Sequence, residues 1–304
     1  MAGSSFSAYR LTIQRMQTEI TNHPDLWQHL LPQPDATSHK YRRGYALIQG
    51  GYPITGAARL AALAAARIGA GMTAIAVPEI AFPIYASQLL SIMAKPYATP
   101  AQQATLINDD RVSAYLIGPG AGVSEATAAT TLQMLRTGKA VVVDADALTS
   151  FASRADRLTK FIAAPCVLTP HDGEFSRLFG ITTADELSLR ITQTQTAASQ
   201  TGAVILLKGA QTVIAAADGR QVVNNNAPPT LATAGSGDVL AGIITGLLAQ
   251  GMPAFEACAA AAWLHAEAAT LFGAGLIAED LPGLLPAAIR QCLQICAQPP
   301  HKQP

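Results

Sequence analysis

The residues best suited to chemistry stand between Thr233 and Gly251, which read Thr-Ala-Gly-Ser-Gly-Asp-Val-Leu-Ala-Gly-Ile-Ile-Thr-Gly-Leu-Leu-Ala-Gln-Gly. Glycines in the opening turn leave backbone N–H groups unobstructed, and a helix that begins there adds unpaired N–H donors at the positive end of its dipole. Such a turn binds anions, most naturally a phosphate group. Residues 239–248 are almost all apolar, so the helix is predicted to be buried.

Asp238, in the first turn of this helix, has two interpretations. A carboxylate at that place can cap the helix by accepting backbone hydrogen bonds. Beside a phosphate site, however, the same carboxylate repels the ligand, and it is useful if it takes a proton from a hydroxyl that attacks the phosphate. This stretch alone leaves both interpretations open.

Composition narrows the class of protein. The chain has 304 residues, of which half are hydrophobic and 13% are charged, and Lys plus Arg equal Asp plus Glu at 20 each. This balance argues against nucleic acid or an anionic membrane as the main partner. No secretory signal is visible, and a break at Gly251-Met252-Pro253 divides the longest apolar stretch into two buried helices. Four cysteines without a Cys-x-x-Cys pair favour reduced thiols and a cytoplasmic location.

Apolar runs of strand length alternate with helical segments along the chain. This alternation predicts a single doubly wound α/β domain, with a mostly parallel sheet and helices on both faces. Strands are predicted at residues 45–49, 73–77, 115–117, 141–144, 166–169, 204–207 and 213–217. Helices are predicted at residues 56–68 with Thr55 as the cap, 125–135, 185–201, 253–272 and 286–296, besides the helix that follows Gly237.

The domain organisation follows from this pattern. Residues 1–37 are expected to form a partly helical extension with a helix near 14–20, residues 38–298 the α/β domain, and residues 299–304 a frayed tail. Four residues suited to ligand binding, Gly118, Asp144, His171 and Lys208, come directly after predicted strands. Open parallel sheets bind ligands along the edge where their strands end, so we expect these residues to meet there.

Each of these places also has a structural interpretation. The run from Gly118 to Gly122 is either an ordinary glycine turn or backbone that lies close under a flat substrate. His171 and Glu174 lack a third zinc ligand, so His171 is interpreted as a structural group, and Glu174 as a residue that orders water around a magnesium ion shared with phosphates. Asp144 and Asp146 are either helix caps or further acids for that metal.

The run Lys208-Gly209-Ala210-Gln211-Thr212 joins two short apolar strands. It is either a hairpin turn or a nucleotide-binding edge that uses backbone groups and the Thr212 hydroxyl. The chain has no Gly-x-x-x-x-Gly-Lys-Ser/Thr motif, which excludes a Walker-type phosphate loop, and no Gly-x-Ser-x-Gly elbow, which leaves a serine hydrolase unsupported.

Six motifs in order resemble the ADP/ATP-dependent NAD(P)H-hydrate dehydratase family of the ribokinase-like superfamily. The resemblance covers residues 38 to about 295 and includes His39-Lys40. Its motifs are Gly50-Gly51 with Thr55-Gly56-Ala57-Ala58, Gly118-Pro119-Gly120, Asp144-Ala145-Asp146-Ala147-Leu148, Leu168-Thr169-Pro170-His171-x-Gly173-Glu174, Lys208-Gly209-x-x-Thr212 and Gly235-Ser236-Gly237-Asp238-Val239-Leu240-Ala241-Gly242. The chain departs from the family pattern at residues 41–43, 52–54 and 224–229.

The resemblance implies a ribokinase-like fold and repair of (6S)-hydrated NADH or NADPH. ADP or ATP phosphorylates the C6 hydroxyl, and loss of phosphate regenerates the dinucleotide. Asp238 is then the catalytic base, and Glu174 holds Mg²⁺ through water. The implied contacts of the hydrated dinucleotide are Ala57, Ala58, Gly118, Gly120, Gly122, His171 and Asp238. The implied contacts of the nucleotide are Lys208, Gly209, Ala210, Gln211, Thr212, Gly235, Ser236 and Gly237.

The resemblance also implies a homo-oligomer, commonly a tetramer, and an epimerase. Bifunctional relatives carry the epimerase domain ahead of this one, so we expect a separate epimerase chain here. Two alternatives stay open. One is a small-molecule kinase of the same superfamily for a thiazole or pyrimidine alcohol, although such kinases typically carry Asn-x-x-Glu where this chain has His171-x-x-Glu174. The other is a non-catalytic nucleotide-binding protein.

Overall fold

The computed structural model of the chain describes residues 20–297, and side chains up to residue 295. Within these residues one sheet has nine strands in the order β3-β2-β1-β4-β5-β6-β7-β8-β9, in which β1 to β7 are parallel and β8 and β9 are antiparallel. The strands are β1 Tyr45–Gln49, β2 Met72–Pro78, β3 Met93–Tyr97, β4 Ala114–Ile117, β5 Ala140–Val143, β6 Cys166–Leu168, β7 Val204–Leu207, β8 Thr212–Ala215 and β9 Gln221–Asn224.

Helices cover both faces of the sheet. They are α1 Gly56–Arg67, α2 Phe82–Ala86, α3 Pro100–Ile107, α4 Glu125–Arg136, α5 Ala145–Thr149, α6 Ala155–Thr159, α7 Asp172–Phe179, α8 Leu187–Thr201, α9 Ser236–Ala249, α10 Ala254–Phe272 and α11 Leu281–Ala297. Strand β1 shows the layering, because Ala46 and Ile48 join the apolar core under α9 and α10, whereas Tyr45 and Leu47 join the core on the other face. The doubly wound, mostly parallel fold is therefore confirmed.

The weakest elements of the fold carry no clear signal in the sequence and were not predicted. Strand β3 contains Lys95 and Pro96 and lies at the edge of the sheet, where one side needs no partner and proline is tolerated. Strand β9 is also an edge strand. It has four residues and follows the turn after β8 so closely that the sequence does not show it as a separate strand. Helix α11 begins at Leu281 and contains Pro286, which had been expected to start it.

Two expectations about the start of the chain have different outcomes. Thr55 stands before α1, but its hydroxyl makes no capping bond and lies 3.3 Å from the Arg59 guanidinium, so the predicted cap is wrong. Residues 1–19, which include most of the expected helix at 14–20, lie outside the described residues. From Ile20 onwards the chain packs on the domain, since Thr21 forms a bridge to Val223 and Trp27 is fully buried.

No helix among the described residues is both long enough and apolar enough to cross a membrane.

Helices α9 and α1 pack backbone against backbone. A Cβ on Gly242 would lie 2.2 Å from the carbonyl oxygen of Ala61, and a Cβ on Gly246 would lie 2.3 Å from the Ile68 side chain. The small residues on both helices permit this close approach. The contact fixes the position of α9, and with it the turn at Gly235 where the helix begins.

We expect Gly242→Ala to destabilise the protein by about 1–3 kcal/mol, because the added methyl group overlaps the backbone of α1. The change would otherwise stabilise a helix by roughly 1 kcal/mol. Gly283→Ala is the control, since Gly283 lies in α11 with open space where its Cβ would be. Urea unfolding of both variants measures the difference. Equal stability of the two variants would contradict the close packing.

Candidate active site

The turn before α9 has the geometry of an anion site. Gly235 stands at the N-cap position with φ +87°, a conformation that favours glycine, and a Cβ there would lie 2.9 Å from the Leu60 side chain and 3.0 Å from the Ala278 methyl group. The N–H groups of Gly237 and Asp238 lie in the first turn of the helix, where no intrahelical acceptor is available. The positive end of the helix dipole adds to their attraction for an anion.

A cavity of about 560 Å³ opens in front of this turn. Its size is that of a typical small-molecule site. Seven of the residues singled out by sequence line it: His171, Lys208, Gly209, Ala210, Thr212, Ser236 and Gly237. Gln211 and Gly235 are not among its lining residues; Gln211 is exposed on the hairpin between β7 and β8. Further lining residues come from Asn224, from α10, and from the segment 227–233.

Carboxylates crowd around one lysine beside the cavity. Lys208 Nζ lies 2.9 Å from Asp144 Oδ1 and 3.8 Å from Glu174 Oε2. Asp144 is 1% exposed, and it also accepts a hydrogen bond of 2.8 Å from the Thr169 hydroxyl. Burial alone would lower the pKa of Lys208, but the charges of Asp144 and Glu174 outweigh it and raise the pKa above its usual value. Lys208 is therefore a structural ion-pair partner as well as a residue of the cavity wall.

Asp238 belongs to the same cluster but has no partner of its own. Among the described residues, its carboxylate makes no hydrogen bond and no ion pair, and the N-cap position is held by Gly235, so the capping interpretation is wrong. Burial raises the pKa of Asp238 to about 7, with Asp144 contributing next and Lys208 opposing both. A carboxyl group with such a pKa can accept a proton at neutral pH and hold it, which is what a general base requires.

His171 and Glu174 cap α7 reciprocally. The Nδ1 atom of His171 accepts from the Gly173 N–H at 3.0 Å, and Glu174 Oε2 accepts from the His171 N–H at 2.9 Å. The structural interpretation of His171 therefore holds, yet its half-exposed ring also lines the cavity. Glu174 is 6% exposed and lies between this cap and Lys208.

Magnesium fits this set of side chains, if phosphate and water complete its coordination. Among residues 20–295, no group of three His, Cys, Asp or Glu side chains could hold a metal ion by itself. The cluster nevertheless contains more carboxylates than cations, which is the charge balance that attracts a divalent cation. Mg²⁺ usually takes one or two protein carboxylates and fills its remaining positions with water and phosphate oxygens.

The glycine turns after β1 and β4 lie against each other and against the turn after β5. Gly118 has φ +129°, and a Cβ on it would lie 1.7 Å from the backbone oxygen of Asp144. Gly120 approaches Gly51 and Ala57, and Gly122 donates a hydrogen bond of 2.9 Å to Asp146 Oδ2. Backbone packing thus explains the glycine at 118, whereas Gly122 has open space beside it.

These turns form a second region, separate from the lining of the cavity. Ala57 is partly exposed there, whereas Ala58 is fully buried, so Ala57 presents the accessible surface. Asp144 connects the two regions, because its backbone contacts Gly118 and its side chain binds Lys208.

His265 is a residue of the site that sequence reasoning missed. Its Nε2 atom lies 3.3 Å from the Ser236 hydroxyl, and its side chain lines the cavity. Burial lowers the pKa of His265 to about 4, so the ring is neutral at physiological pH. The available signal was a histidine within the mostly apolar helix α10.

Comparisons with known proteins show the family to which the chain belongs. A family model described as NAD(P)H-hydrate dehydratase matches residues 45–290. The chain belongs to this family. An ADP-dependent (S)-NAD(P)H-hydrate dehydratase of Neisseria meningitidis serogroup B is 36% identical over 285 residues, which are 91% of this chain and 92% of that protein. A bifunctional NAD(P)H-hydrate repair enzyme of Salinibacter ruber is 41% identical over 271 residues, 84% of this chain but 50% of its own length.

The chain thus spans about half the length of the bifunctional relatives that it matches. Among solved structures, an ADP/ATP-dependent NAD(P)H-hydrate dehydratase from Bacillus subtilis, co-crystallised with ATP and Mg²⁺, superposes with a TM-score of 0.78. It is 30% identical, and the match covers 91% of this chain and 99% of that one. A ribokinase-like protein from Enterococcus faecalis shares the fold, with a TM-score of 0.78 at 24% identity.

We expect Asp238→Asn to stabilise the folded protein above neutral pH. The folded-state pKa of about 7 exceeds the value of 3.8 for an unfolded chain. Folding therefore favours the protonated form, and the charged carboxylate costs stability as the pH rises from 4 through 7. The two proteins should have equal Tm near pH 4, and the variant should be more stable at pH 8 by roughly 2 kcal/mol, after allowance for solvent screening.

Asp156→Asn is the control, because Asp156 is 76% exposed and, in the part of the chain that the structure describes, pairs with Lys160 alone. Its pH dependence of unfolding should follow that of the original protein. An Asp238→Asn variant that is no more stable at pH 8 than at pH 4, relative to the original, would contradict the raised pKa.

Proposed function

We propose that this chain is an ADP- or ATP-dependent dehydratase, a carbon–oxygen lyase, that repairs (6S)-hydrated NADH and NADPH. One observation carries the proposal. Asp238 makes no hydrogen bond or ion pair among the described residues, its pKa is raised to about 7, and it stands in the first turn of a helix whose N-terminus has the geometry of an anion site. Membership of the family supports the same reaction.

The two regions of the site suit two substrates. The nucleotide fits the cavity, with its phosphates at Ser236 and Gly237 and its remainder along Lys208, Gly209, Ala210 and Thr212. Nucleotide contacts at Gly235 and Gln211, which do not line the cavity, stay predictions from the family resemblance. The hydrated dinucleotide fits the glycine turns, at Ala57, Ala58, Gly118, Gly120 and Gly122, with His171 on the side of the cavity. Asp144 connects the two regions, and its charge acts on Asp238, as do those of Lys208 and Asp146. The hydroxyl and the terminal phosphate would therefore come together beside Asp238.

Asp238 then carries out the proton transfer. The C6 hydroxyl gives its proton to Asp238 while its oxygen forms a bond to the terminal phosphorus, and the bond between that phosphorus and the nucleotide breaks. The first-turn N–H groups of α9 stabilise the charge on the transferred phosphoryl group. The carbon–oxygen bond at C6 breaks next, phosphate leaves, and loss of a proton from the neighbouring carbon restores the ring double bond.

Glu174 would hold Mg²⁺ through water, and Asp144 adds negative charge nearby. When bound, the ion neutralises charge on the nucleotide phosphates. A homotetramer, a cytoplasmic location and a separate epimerase chain stay predictions that rest on the family resemblance.

The direct experiment mixes the protein with enzymatically hydrated NADH and either ADP or ATP. We expect NADH absorbance to recover with at least one of the nucleotides. Folded protein that restores no absorbance with either nucleotide would reject the dehydratase. Accumulation of a stable phosphorylated product would instead favour the small-molecule kinase.

Asp238→Asn should lower kcat by roughly 10²–10⁴-fold, because it removes the general base. Nucleotide binding should persist, since the N–H groups of the turn remain, and calorimetry with ADP and ATP can measure it. Asp156→Asn is the surface control and should keep full activity. If the original protein binds nucleotide but turns over no substrate, and Asp238→Asn binds equally, the non-catalytic alternative is correct.

A further inference from the structure

A buried chain of side-chain amides runs from the start of the described structure to the nucleotide cavity. The Trp27 indole N–H donates to Asn22 Oδ1 at 3.0 Å, and Asn22 Nδ2 donates to Asn224 Oδ1 at 2.8 Å. Asn224 Nδ2 donates to Asn226 Oδ1 at 2.9 Å, and Asn226 Nδ2 donates to the carbonyl oxygen of Trp263 at 3.3 Å. Asn22 and Asn224 are 4% and 2% exposed, so water does not compete for the bonds that Asn22 makes, whereas Asn226 is half-buried.

The direction of this chain is fixed at both ends. The indole N–H can only donate, so it sets the orientation of the Asn22 amide. The backbone oxygen of Trp263 can only accept, so it sets the orientation of Asn226. Asn22 Nδ2 also donates to the carbonyl oxygen of Ala259 at 2.7 Å, which prevents the Asn22 amide from turning over. Reversing one amide would therefore place two oxygens or two N–H groups against each other.

This series of hydrogen-bonded amides connects three elements around the nucleotide cavity. Asn224 lines the cavity and stands at the end of β9, three residues before the segment 227–233, which forms a wall of the cavity. Asn226 connects the start of this segment to α10 through its bond to the Trp263 carbonyl oxygen. His265, two residues after Trp263, also lines the cavity. Asn22 itself is not a lining residue, and it lies outside the family match, which begins at residue 45.

We propose that Asn22 is a positioning residue for nucleotide binding. Through Asn224 and Asn226 it holds the 227–233 wall at a fixed distance from the phosphate turn and from the hairpin at Lys208. The segment around Asn22 therefore takes part in forming the nucleotide site, although it contacts no ligand. This inference rests on the proposed assignment of the cavity to ADP or ATP.

Asn22→Asp tests the proposal, because it keeps the size of the side chain and its acceptor for the Trp27 indole but replaces the amide donor. We expect Kd for ADP or ATP, measured by calorimetry without the dinucleotide, to rise about tenfold, as the loss of a buried hydrogen bond implies. KM for the hydrated dinucleotide at saturating nucleotide should stay unchanged. Both tryptophans of the chain belong to this cluster, so intrinsic fluorescence provides a second readout of binding.

Asn226→Ala breaks the last link without touching the N-terminal segment, and it keeps the test decisive if Asn22→Asp folds poorly. Both single variants should raise Kd. The double variant should have a Kd no higher than that of the single variant that binds more weakly, because both substitutions interrupt the same series of hydrogen bonds. Leu31→Ala is the matched control, since it removes a buried apolar contact of the same segment but no amide. It should lower Tm and leave Kd within about twofold.

The outcomes separate the two proposals. If the original protein binds neither ADP nor ATP, the proposed function fails. If it binds nucleotide but both single variants keep its Kd, or if Leu31→Ala weakens binding as much as they do, the role of Asn22 fails alone. Additive effects of Asn22→Asp and Asn226→Ala would also overturn it.

Discussion

The site depends on an imbalance of charge at the edge of the sheet where β5, β6 and β7 end. Asp144, Glu174 and Asp238 share the positive charge of Lys208, which lies closest to Asp144. Burial and the like charge of Asp144 raise the pKa of Asp238. Asp144 itself has Lys208 and Thr169 as partners, and Glu174 caps α7. The same imbalance gives Asp238 its proton affinity and gives the cluster its capacity for a divalent cation.

Backbone contacts bring this charge cluster and the phosphate turn together. Gly242 allows α9 to lie directly on α1, and Gly118 allows the turn after β4 to touch the backbone of Asp144. Both contacts exclude any larger residue, so the relative positions of the turn, Asp238 and Asp144 are determined by main-chain packing. A rigid arrangement of this kind lets N–H dipoles stabilise a transferred phosphoryl group without reorganisation.

Much of the fold could be predicted from sequence, because buried parallel strands are unbroken apolar runs and their ends carry glycine, aspartate or lysine. The gathering of Gly118, Asp144, His171 and Lys208 at one edge followed from that rule. The partners of each side chain could not be predicted in this way. The pairing of Lys208 with Asp144, the bond from Ser236 to His265 and the amide chain from Asn22 join residues far apart in sequence. Ala145 at φ +46°, beside Asp144, is likewise set by tertiary packing.

The central claim is that Asp238 acts as the base with a pKa set by burial and by Asp144. Its most direct test is the pH profile of kcat/KM for hydrated NADH, with nucleotide below its own KM, for the original protein and for Asp238→Glu. We expect activity to fall on the acid side with a pKa of about 7, and the substitution to move this limb. Ionisation of the nucleotide phosphate, near pH ~6, would stay in place in both proteins. A profile that is unchanged by Asp238→Glu, or flat down to pH ~5, would contradict the account.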